Sequence, residues 1–377
     1  MTATRLQAIR TLLGYSVAEV IRMLLHRAET LNIPVMSPTS LKTKISRWEN
    51  GHEQVSQPYQ RLFRDIYGRT NDELDFPPEI EDDQANELRA RLTVARSIDA
   101  GTVELFRQQV DNARHVDRRF GGITVLDQLR ATMAQIQNLL GYSTSHGQRQ
   151  LLAGVLTEAA ALAGWDALDR NAIRPAWDHH ERAKAAALEA ASPALYAHAT
   201  AQQAFILIDL GELDAAIEQL EDARRHAEHT SPTLLRSWLA AALGEGLAAA
   251  GQRDDALRAF DSAAALLPAD PDDPALPFLF LAGAHLDRWR GHALARLGDH
   301  DAIDHLTDAL PRLPATFVRA KTGMLVDLAH AHATAGDRDA ALHYARQAKR
   351  LAAQIKSDRQ LRRLAGLILP PGHRHAA

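Results

Sequence analysis

The sequence contains no cysteine, so it forms no disulfide bond, offers no thiolate to a metal ion and has no cysteine nucleophile. It also lacks an uninterrupted apolar run of about 18 residues, the length that a membrane-spanning helix requires. At the N-terminus, Arg5 and Arg10 fall within an amphipathic pattern rather than an apolar leader segment. We therefore expect a cytoplasmic protein with no membrane partner.

Catalytic signatures are missing as well. There is no glycine-rich phosphate loop followed by Lys-Ser or Lys-Thr, no His-Glu-x-x-His and no Gly-x-Ser-x-Gly. The 18 histidines include the neighbours His179 and His180, but adjacent histidines on a helix point in different directions and do not share an ion unaided. The sequence therefore predicts a protein that is not an enzyme, with no catalytic residues, no metal site and no cofactor.

Lysine is scarce, with only six residues in the whole chain. The formal net charge of −4 is divided unevenly, because residues 1–76 hold 10 basic and 8 acidic residues, which leaves −6 in the remainder. So small an excess neither requires nor excludes nucleic acid, since phosphate is bound by a local basic surface. Two of the six lysines, Lys42 and Lys44, fall in one short predicted helix, and this placement is more informative than the total.

Residues 1–76 carry the start and stop signals of five short helices. Ser16 and Glu19 are spaced as a capping box at the start of the second helix, and Thr70 and Glu73 form another at the fifth. These signals predict a small all-helical domain at the N-terminus.

The third of these helices is predicted between a cap at Ser37 and a closing glycine at Gly51. Leu41, Ile45 and Trp48 recur at helical spacing and predict the buried face. The opposite face carries hydroxyls and cations, the side chains that reach base edges and phosphates. The predicted DNA-binding residues are Thr39, Ser40, Lys42, Thr43, Lys44 and Arg47.

The order of the five helices, with Ser-Arg-Trp-Glu-Asn-Gly at residues 46–51, resembles the phage-repressor type of helix-turn-helix found in xenobiotic-response-element (XRE) regulators. In that family the third helix lies in the major groove of double-stranded DNA and dimers read two half-sites. The resemblance therefore implies a homodimer on a DNA operator. The caps Ser16 and Ser37 are further apart than is usual in the family, so either the second helix is longer or a loop is inserted around residues 32–36.

A stiff, acidic stretch follows this domain, because Pro77-Pro78 precedes the acidic residues of 79–83. We assign residues 77–147 to a linker and a helical middle segment, with helix breaks near Gly101 and at Gly121-Gly122. Two interpretations of the middle segment stay open. It is either a dimerisation unit or the first packing layer of the array that follows.

One sequence phrase recurs four times in residues 148–377. Its copies are centred on Gly211, Gly251, Gly298 and Gly336. Each glycine has a small residue seven positions earlier, as a stacked helical hairpin with a tight turn requires. The pattern is similar to the tetratricopeptide repeat, with a degenerate hairpin around Gly164 and a closing cap at residues 358–369. The expected fold is all-α, an N-terminal helix-turn-helix domain followed by a tetratricopeptide-like α-solenoid.

In tetratricopeptide repeats, the side chains that line the concave groove occupy fixed positions around the small residue of each first helix. Carried over to this chain, these positions select the predicted ligand-binding residues Trp238, Glu245, His285, Arg288, His292, Arg296 and His330. The preceding hairpin contributes His198, Phe205 and Asp209. Because arginine can hold a carboxylate through two parallel hydrogen bonds, we expect a peptide or an anionic small molecule as effector. The alternative is that these side chains pair with neighbouring acids and only keep the groove hydrated.

A DNA-reading domain on a repeat array resembles the sensor regulators of Gram-positive bacteria and their phages, and the alanine-rich, arginine-rich composition is most similar to actinobacterial members. The resemblance implies a sequence-specific transcriptional regulator, in which an effector in the array shifts the population between two dimer arrangements. The alternative from another class is a tetratricopeptide protein-interaction scaffold, with a degenerate helix-turn-helix as its docking module.

Overall fold

The computed structural model describes residues 4–77, 83–228, 231–270, 273, 275–281 and 283–371, and all regular secondary structure in these ranges is helical. The predicted acidic linker at residues 78–82 and the last residues of the predicted repeat domain, 372–377, lie outside this description. The chain divides into two compact units, Met1–Arg89 and Ala90–Ala377, called unit 1 and unit 2 below. It is an all-α protein of stacked helical pairs similar to tetratricopeptide repeats.

Unit 1 begins with five short helices in the predicted order. They are α1 (Arg5–Leu12), α2 (Val17–Thr30), α3 (Pro38–Glu49), α4 (Gln57–Tyr67) and α5 (Asn71–Leu74). The capping boxes at Ser16 and Thr70 are both formed, and the Ser37 side chain caps α3. The wide spacing between the second and third caps has two sources, because α2 is 14 residues long and residues 31–37 connect it to α3.

Helix α3 is held in unit 1 by its apolar face and by one ion pair. Leu41, Ile45 and Trp48 are buried, as their spacing predicts. Glu49 is also buried, and its carboxylate accepts two hydrogen bonds from the Arg10 guanidinium of α1, at 2.6 and 2.9 Å. Because removing one partner of a buried pair is costly, this contact fixes α3 on α1 and keeps its polar face outward.

Helix α6 (Asp83–Arg96) includes the boundary between the two units in sequence, and unit 2 continues with thirteen further α-helices in the described residues. They are α7 (Ala100–Phe120), α8 (Leu126–Tyr142), α9 (His146–Asp169), α10 (Ile173–Glu189), α11 (Pro193–Leu210), α12 (Leu213–Ala227), α13 (Thr233–Ala249), α14 (Arg253–Leu266), α15 (Ala284–Leu297), α16 (Asp301–Ala309), α17 (Val318–Thr334), α18 (Arg338–Gln354) and α19 (Asp358–Ala365).

The four predicted hairpins are confirmed, and each turns at its predicted glycine. All four glycines have φ between 73° and 85°, a left-handed conformation that glycine adopts without steric cost. The small residue seven positions earlier lies where the second helix packs. A Cβ atom added to Gly244 would lie 2.7 Å from Phe260, and one added to Gly291 would lie 2.7 Å from Leu306. Close helix packing therefore explains the recurrent small residue.

The first hairpin, formed by α9 and α10, has the same spacing of seven residues, although its turn residue is not glycine. Its turn is at Asn171, with φ of 56°, and Gly164 lies seven positions earlier. A Cβ atom on Gly164 would lie 2.6 Å from His180 of the second helix. The hairpin looks degenerate in sequence because asparagine, which also tolerates the left-handed conformation, replaces the turn glycine.

The middle segment packs inside unit 2. Helices α7 and α8 contact α9, and α7 also contacts α17. The helices break at Gly121, which has φ of 86°, whereas Gly101 lies inside the first turn of α7. These contacts show that the middle segment packs against the repeat helices, which is one of the two interpretations. Dimerisation through this segment stays a prediction.

Unit 2 closes on itself, because its last helices contact its first ones. Helix α17 packs against α7, and α19 packs against α9. Ser357 Oγ donates a hydrogen bond to Asp169 at 2.6 Å, and the Arg359 guanidinium donates two to the Asp209 carboxylate, at 2.6 and 2.8 Å. The predicted closing cap therefore covers α9 and α11 as well as the end of the array.

Helix α9 is, among the described residues, the one helix that is long and apolar enough to cross a membrane. Within its most apolar 18-residue window, 72% of the residues are buried by the rest of the chain. Because the core helix of a folded domain has the same length and composition, this is weak evidence for a membrane span.

Candidate functional site

A cavity of about 250 Å³ lies inside unit 2. The helices α7, α9, α11, α13, α15, α17 and α19 line it together with the non-helical residues Phe278, Phe280 and Phe317. These are the first helices of the hairpins, the middle segment and the closing helix. The cavity therefore occupies the place of the groove predicted from the repeat pattern, with α19 and the middle segment adding walls.

One part of the cavity wall is aromatic. The rings of Trp238 and Trp289 meet edge to face with their centroids 5.6 Å apart, and Phe205 meets Trp289 in the same way at 6.1 Å. His198 lies 4.9 Å from Trp238 and 4.3 Å from Phe278. Burial lowers the pKa of His198 to about 3, so its neutral ring adds to this wall. Trp289 is 8% exposed, and its indole Nε1–H has no acceptor among the described residues.

Two guanidinium groups line the cavity without a carboxylate partner in the part of the chain that the structure describes. Arg118 lies over the Phe280 ring at 3.5 Å and 5.2 Å from that of Phe317. The Nε atoms of Arg118 and Arg288 are buried and have no hydrogen-bond partner there. Burial lowers the pKa of Arg118 to about 10 and lowers that of Arg288 as well. Burial and these two cations together lower the pKa of His285 to about 3, so it is neutral.

Asp327 is a cavity charge that is compensated, whereas Glu245 has no ion-pair partner in the part of the chain that the structure describes. Asp327 of α17 binds both His292, at 2.8 Å, and the Arg363 guanidinium. Burial alone would raise the pKa of Asp327, but these two partners outweigh it and hold that pKa well below its ordinary value. Glu245 lines the same cavity and is half-buried, and it forms no ion pair with a cation of the described residues. Its charge acts on Arg288 at longer range, because Glu245 and Asp327 both raise the pKa of that guanidinium against the larger effect of burial.

A cluster of three carboxylates around one guanidinium closes one end of the cavity. Arg319 of α17 donates hydrogen bonds to Asp117 of α7 and, at 3.0 Å, to Asp166 of α9, and its Nε lies 3.6 Å from Asp169. Asp166 is completely buried, and its Oδ2 has no partner in the described structure. Burial raises the pKa of Asp117, and burial together with Asp117 raises that of Asp166 well above its ordinary value. One cation therefore does not compensate the three acids fully.

A second cavity of about 240 Å³ adjoins the first and shares His292, Arg359 and Arg363 with it. Arg296 lines this second cavity and is exposed to solvent. Asp209 lines it too, but its carboxylate is occupied by Arg359. The second cavity is therefore rich in arginine and open to water.

Most of the predicted ligand-binding residues are brought together. Trp238, Glu245, His285, Arg288 and His292 line the first cavity, as do His198 and Phe205, while Arg296 and Asp209 line the second. His330 lines neither cavity, because its Nε2 lies 3.1 Å from the Arg363 carbonyl oxygen of α19, which covers it. The alternative, in which these side chains pair with neighbouring acids, is correct for His292 and Asp209. Arg288 has no ion-pair partner in the described residues and lies 5.8 Å from the Trp289 ring.

Several cavity residues have no signal in the sequence. Arg118 and Asp117 belong to the middle segment, Phe278 and Phe280 to a connection between hairpins, and Arg319 to the first turn of α17. None of them occupies a groove position of the repeat. Only the closure of unit 2 brings them to the cavity, so spacing within one hairpin could not have indicated them.

The predicted DNA-binding face lies on the surface of unit 1. Thr39, Ser40, Lys42, Thr43 and Arg47 are exposed, and Lys44 is half-buried. Glu53, in the connection after α3, forms an ion pair with Lys44 and lies 3.4 Å from Arg47. The hydrogen bond from Lys44 lowers the pKa of Glu53. Two of the three cations on this face therefore have a carboxylate beside them.

The described residues contain no group of three histidine, aspartate or glutamate side chains placed to hold a metal ion. His179 and His180 are both buried on α10. Burial lowers the pKa of His180 to about 3, and Gly164 packs against its ring. These histidines act as neutral packing residues.

No protein-family model matches the chain, and no curated protein matches it either. Solved structures show similarity at the level of the fold alone. The crystal structure of BtubC (BKLC) from P. vanneervenii has a TM-score of 0.42 and 16% identity, over 67% of this chain and 95% of that one. The structure of a Rap protein complexed with competence and sporulation factor has a TM-score of 0.47 and 15% identity, over 91% of this chain and 97% of that one.

Proposed function

We propose that the chain is a sequence-specific DNA-binding transcriptional regulator whose unit 2 binds an effector. Helix α3 supports the DNA-binding part, because its apolar side is anchored in the core while its exposed side presents hydroxyls and cations. Such a helix fits the major groove of DNA, which is about 12 Å wide. The cavity supports the effector part, because two half-buried arginines in its wall have buried Nε atoms and no ion-pair partner in the described residues.

Glu53 favours a second candidate, a protein-interaction scaffold with unit 1 as its docking module. Phosphate binding gains from every uncompensated cation, yet Glu53 engages Lys44 and Arg47. Lys42 is then the one cation of the predicted set that has no carboxylate partner in the described residues. Stacked helical pairs also offer extended surfaces to protein partners. DNA binding by the full-length chain separates the two candidates.

We expect the double substitution Lys42→Ala, Arg47→Ala to weaken DNA binding by about 10- to 100-fold, the effect of losing one or two base or phosphate contacts. Full-length protein would first select duplexes from a random pool, and fluorescence anisotropy would then measure affinity for the selected duplex. Glu53→Gln is expected to tighten binding, because it frees Lys44 and Arg47. The slope of log affinity against log salt should become steeper in that variant.

Arg61→Ala is the matched control, because Arg61 is an exposed cation on α4 of the same unit and lies outside the predicted set. It should leave affinity for the selected duplex unchanged. If the random pool yields no enriched duplex, or if the α3 double variant binds as tightly as the Arg61 variant, the scaffold candidate is favoured over the regulator.

We also expect a twofold homodimer in solution. One recognition helix reads too few base pairs to choose an operator within a genome, so two copies must act together. Light scattering on the full-length chain should give about twice its mass of 41.4 kDa. A monomer that binds a single half-site tightly is the result that would refute the dimer.

A further inference from the structure

We propose that the cavity of unit 2 binds a small organic anion with a planar aromatic body, and that its acidic group lies between Arg118 and Arg288 beside His285. This inference rests on the effector-binding role proposed above and specifies the chemistry of the effector. Its test measures binding to the protein without DNA, so the regulator proposal and the ligand assignment can fail separately.

The charge of the ligand follows from two arginines that have no ion-pair partner among the described residues. The carboxylates of Glu245 and Asp327 act on Arg288 only at longer range. Arg118 and Arg288 have buried Nε atoms with no acceptor among the described residues, and neither forms an ion pair there. A buried cation without a partner is costly, and an incoming acid would supply both the charge and the acceptors. The planar guanidinium matches the two oxygens of a carboxylate or sulfonate. Arg118 is already held in place by the Phe280 ring beneath it.

The aromatic body follows from the wall next to these cations. Trp238, Trp289 and Phe205 meet edge to face, an arrangement that leaves ring surfaces for a flat partner to stack on or pack against. The unsatisfied Nε1–H of Trp289 offers one further hydrogen bond to an oxygen of the ligand. The aromatic wall and the two cations line the same cavity, so a single amphipathic ligand can contact both.

The dimensions favour a small molecule over a peptide. Ligand cavities commonly measure about 300 to 1,000 Å³, and this one, at about 250 Å³, lies below that range. An extended peptide needs an open groove, whereas α19 and the middle segment add walls to this one and are held there by the Arg359 and Arg319 ion pairs. A compact aromatic acid fits both the small volume of the cavity and the walls that α19 and the middle segment add to it.

The test uses two dyes that share one body. The first, 8-anilinonaphthalene-1-sulfonate, carries an acidic group, and N-phenyl-1-naphthylamine lacks it. We expect the sulfonate dye to bind full-length protein at one site per chain, more tightly than the neutral dye. Arg118→Gln and Arg288→Gln should each lower the affinity for the sulfonate dye by about tenfold, the loss expected for a charged hydrogen bond. The affinity for the neutral dye should not change. Arg182→Gln, at an exposed position on α10, is the matched control and should change neither.

Three results would overturn the assignment. The first is equal binding of the sulfonate dye to the wild-type chain and both cavity variants. The second is an equal loss of sulfonate dye and neutral dye in Arg118→Gln and Arg288→Gln, because the two arginines would then shape the cavity without recognising the acidic group. The third is displacement of the dye by a random heptapeptide pool but not by 1-naphthoate, which would assign the cavity to peptides. Displacement by 1-naphthoate alone supports the proposal.

Discussion

The substitution Arg319→Met is expected to lower the free energy of unfolding of unit 2 by about 3 to 5 kcal/mol, the usual cost of removing one partner from a buried ion pair. Arg319 is the cation within ion-pair distance of Asp117, Asp166 and Asp169. Methionine fills a similar volume, so the loss reports uncompensated charge rather than an empty space. Urea unfolding followed by tryptophan fluorescence measures it, because four of the five tryptophans belong to unit 2.

The loss of unfolding free energy caused by Arg319→Met should increase with pH. The pKa values of Asp117 and Asp166 are raised in the folded chain, so these groups favour folding below their unfolded pKa and lose that contribution as pH rises through the folded pKa. Without Arg319 both folded values rise further. The difference in free energy of unfolding between wild type and Arg319→Met should therefore be larger at pH 7.5 than at pH 5.

Asp166→Asn is the companion variant for this cluster. It removes the carboxylate whose ionisation is most hindered, so we expect little loss in the wild-type background and partial recovery in the Arg319→Met background. Recovery measures the coupling between the two sites directly. A loss from Arg319→Met that is the same at both pH values and is not relieved by Asp166→Asn would contradict the charge explanation.

The substitution Gly121→Ala is expected to lower the free energy of unfolding by about 2 to 4 kcal/mol, because it combines backbone strain with a steric clash. Gly121 has φ of 86° and ψ of 159°, a region that residues with a side chain scarcely enter. An added Cβ would lie 2.1 Å from the carbonyl oxygen of Ile355 at the end of α18. The contact joins the middle segment to the last hairpin, so the strain acts on the closure of unit 2.

Gly141→Ala is the control for Gly121→Ala. Gly141 lies in α8, and an added Cβ would meet nothing within 4 Å. Alanine should be neutral there or stabilising by up to about 1 kcal/mol, because it is the better helix former. If both alanine variants unfold at the same urea concentration, the close approach of Gly121 to α18 does not hold the structure closed. Loss of sulfonate dye binding by the Gly121 variant alone would further show that closure positions Arg118.

Local signals in the sequence predicted most of the helices because their causes are local. A capping box involves residues three apart, and a turn glycine is required by its own φ, so Ser16, Thr70 and Gly211 could be recognised without knowledge of the fold. The groove positions were also predictable. A helix repeats every 3.6 residues, so the small residue of each hairpin sets which neighbours face the groove.

The sequence by itself therefore determined the helices, their pairing into hairpins and the inward direction of residues such as Trp238 and Arg288. The tertiary structure decided which other side chains those residues contact. The curvature of a repeat array accumulates from small rotations between hairpins, and no local pattern encodes their sum. That sum brings Arg319 to Asp117, 202 residues away, and adds Arg118 to the cavity. For this reason the charge balance of the candidate site could be known only after the array had closed.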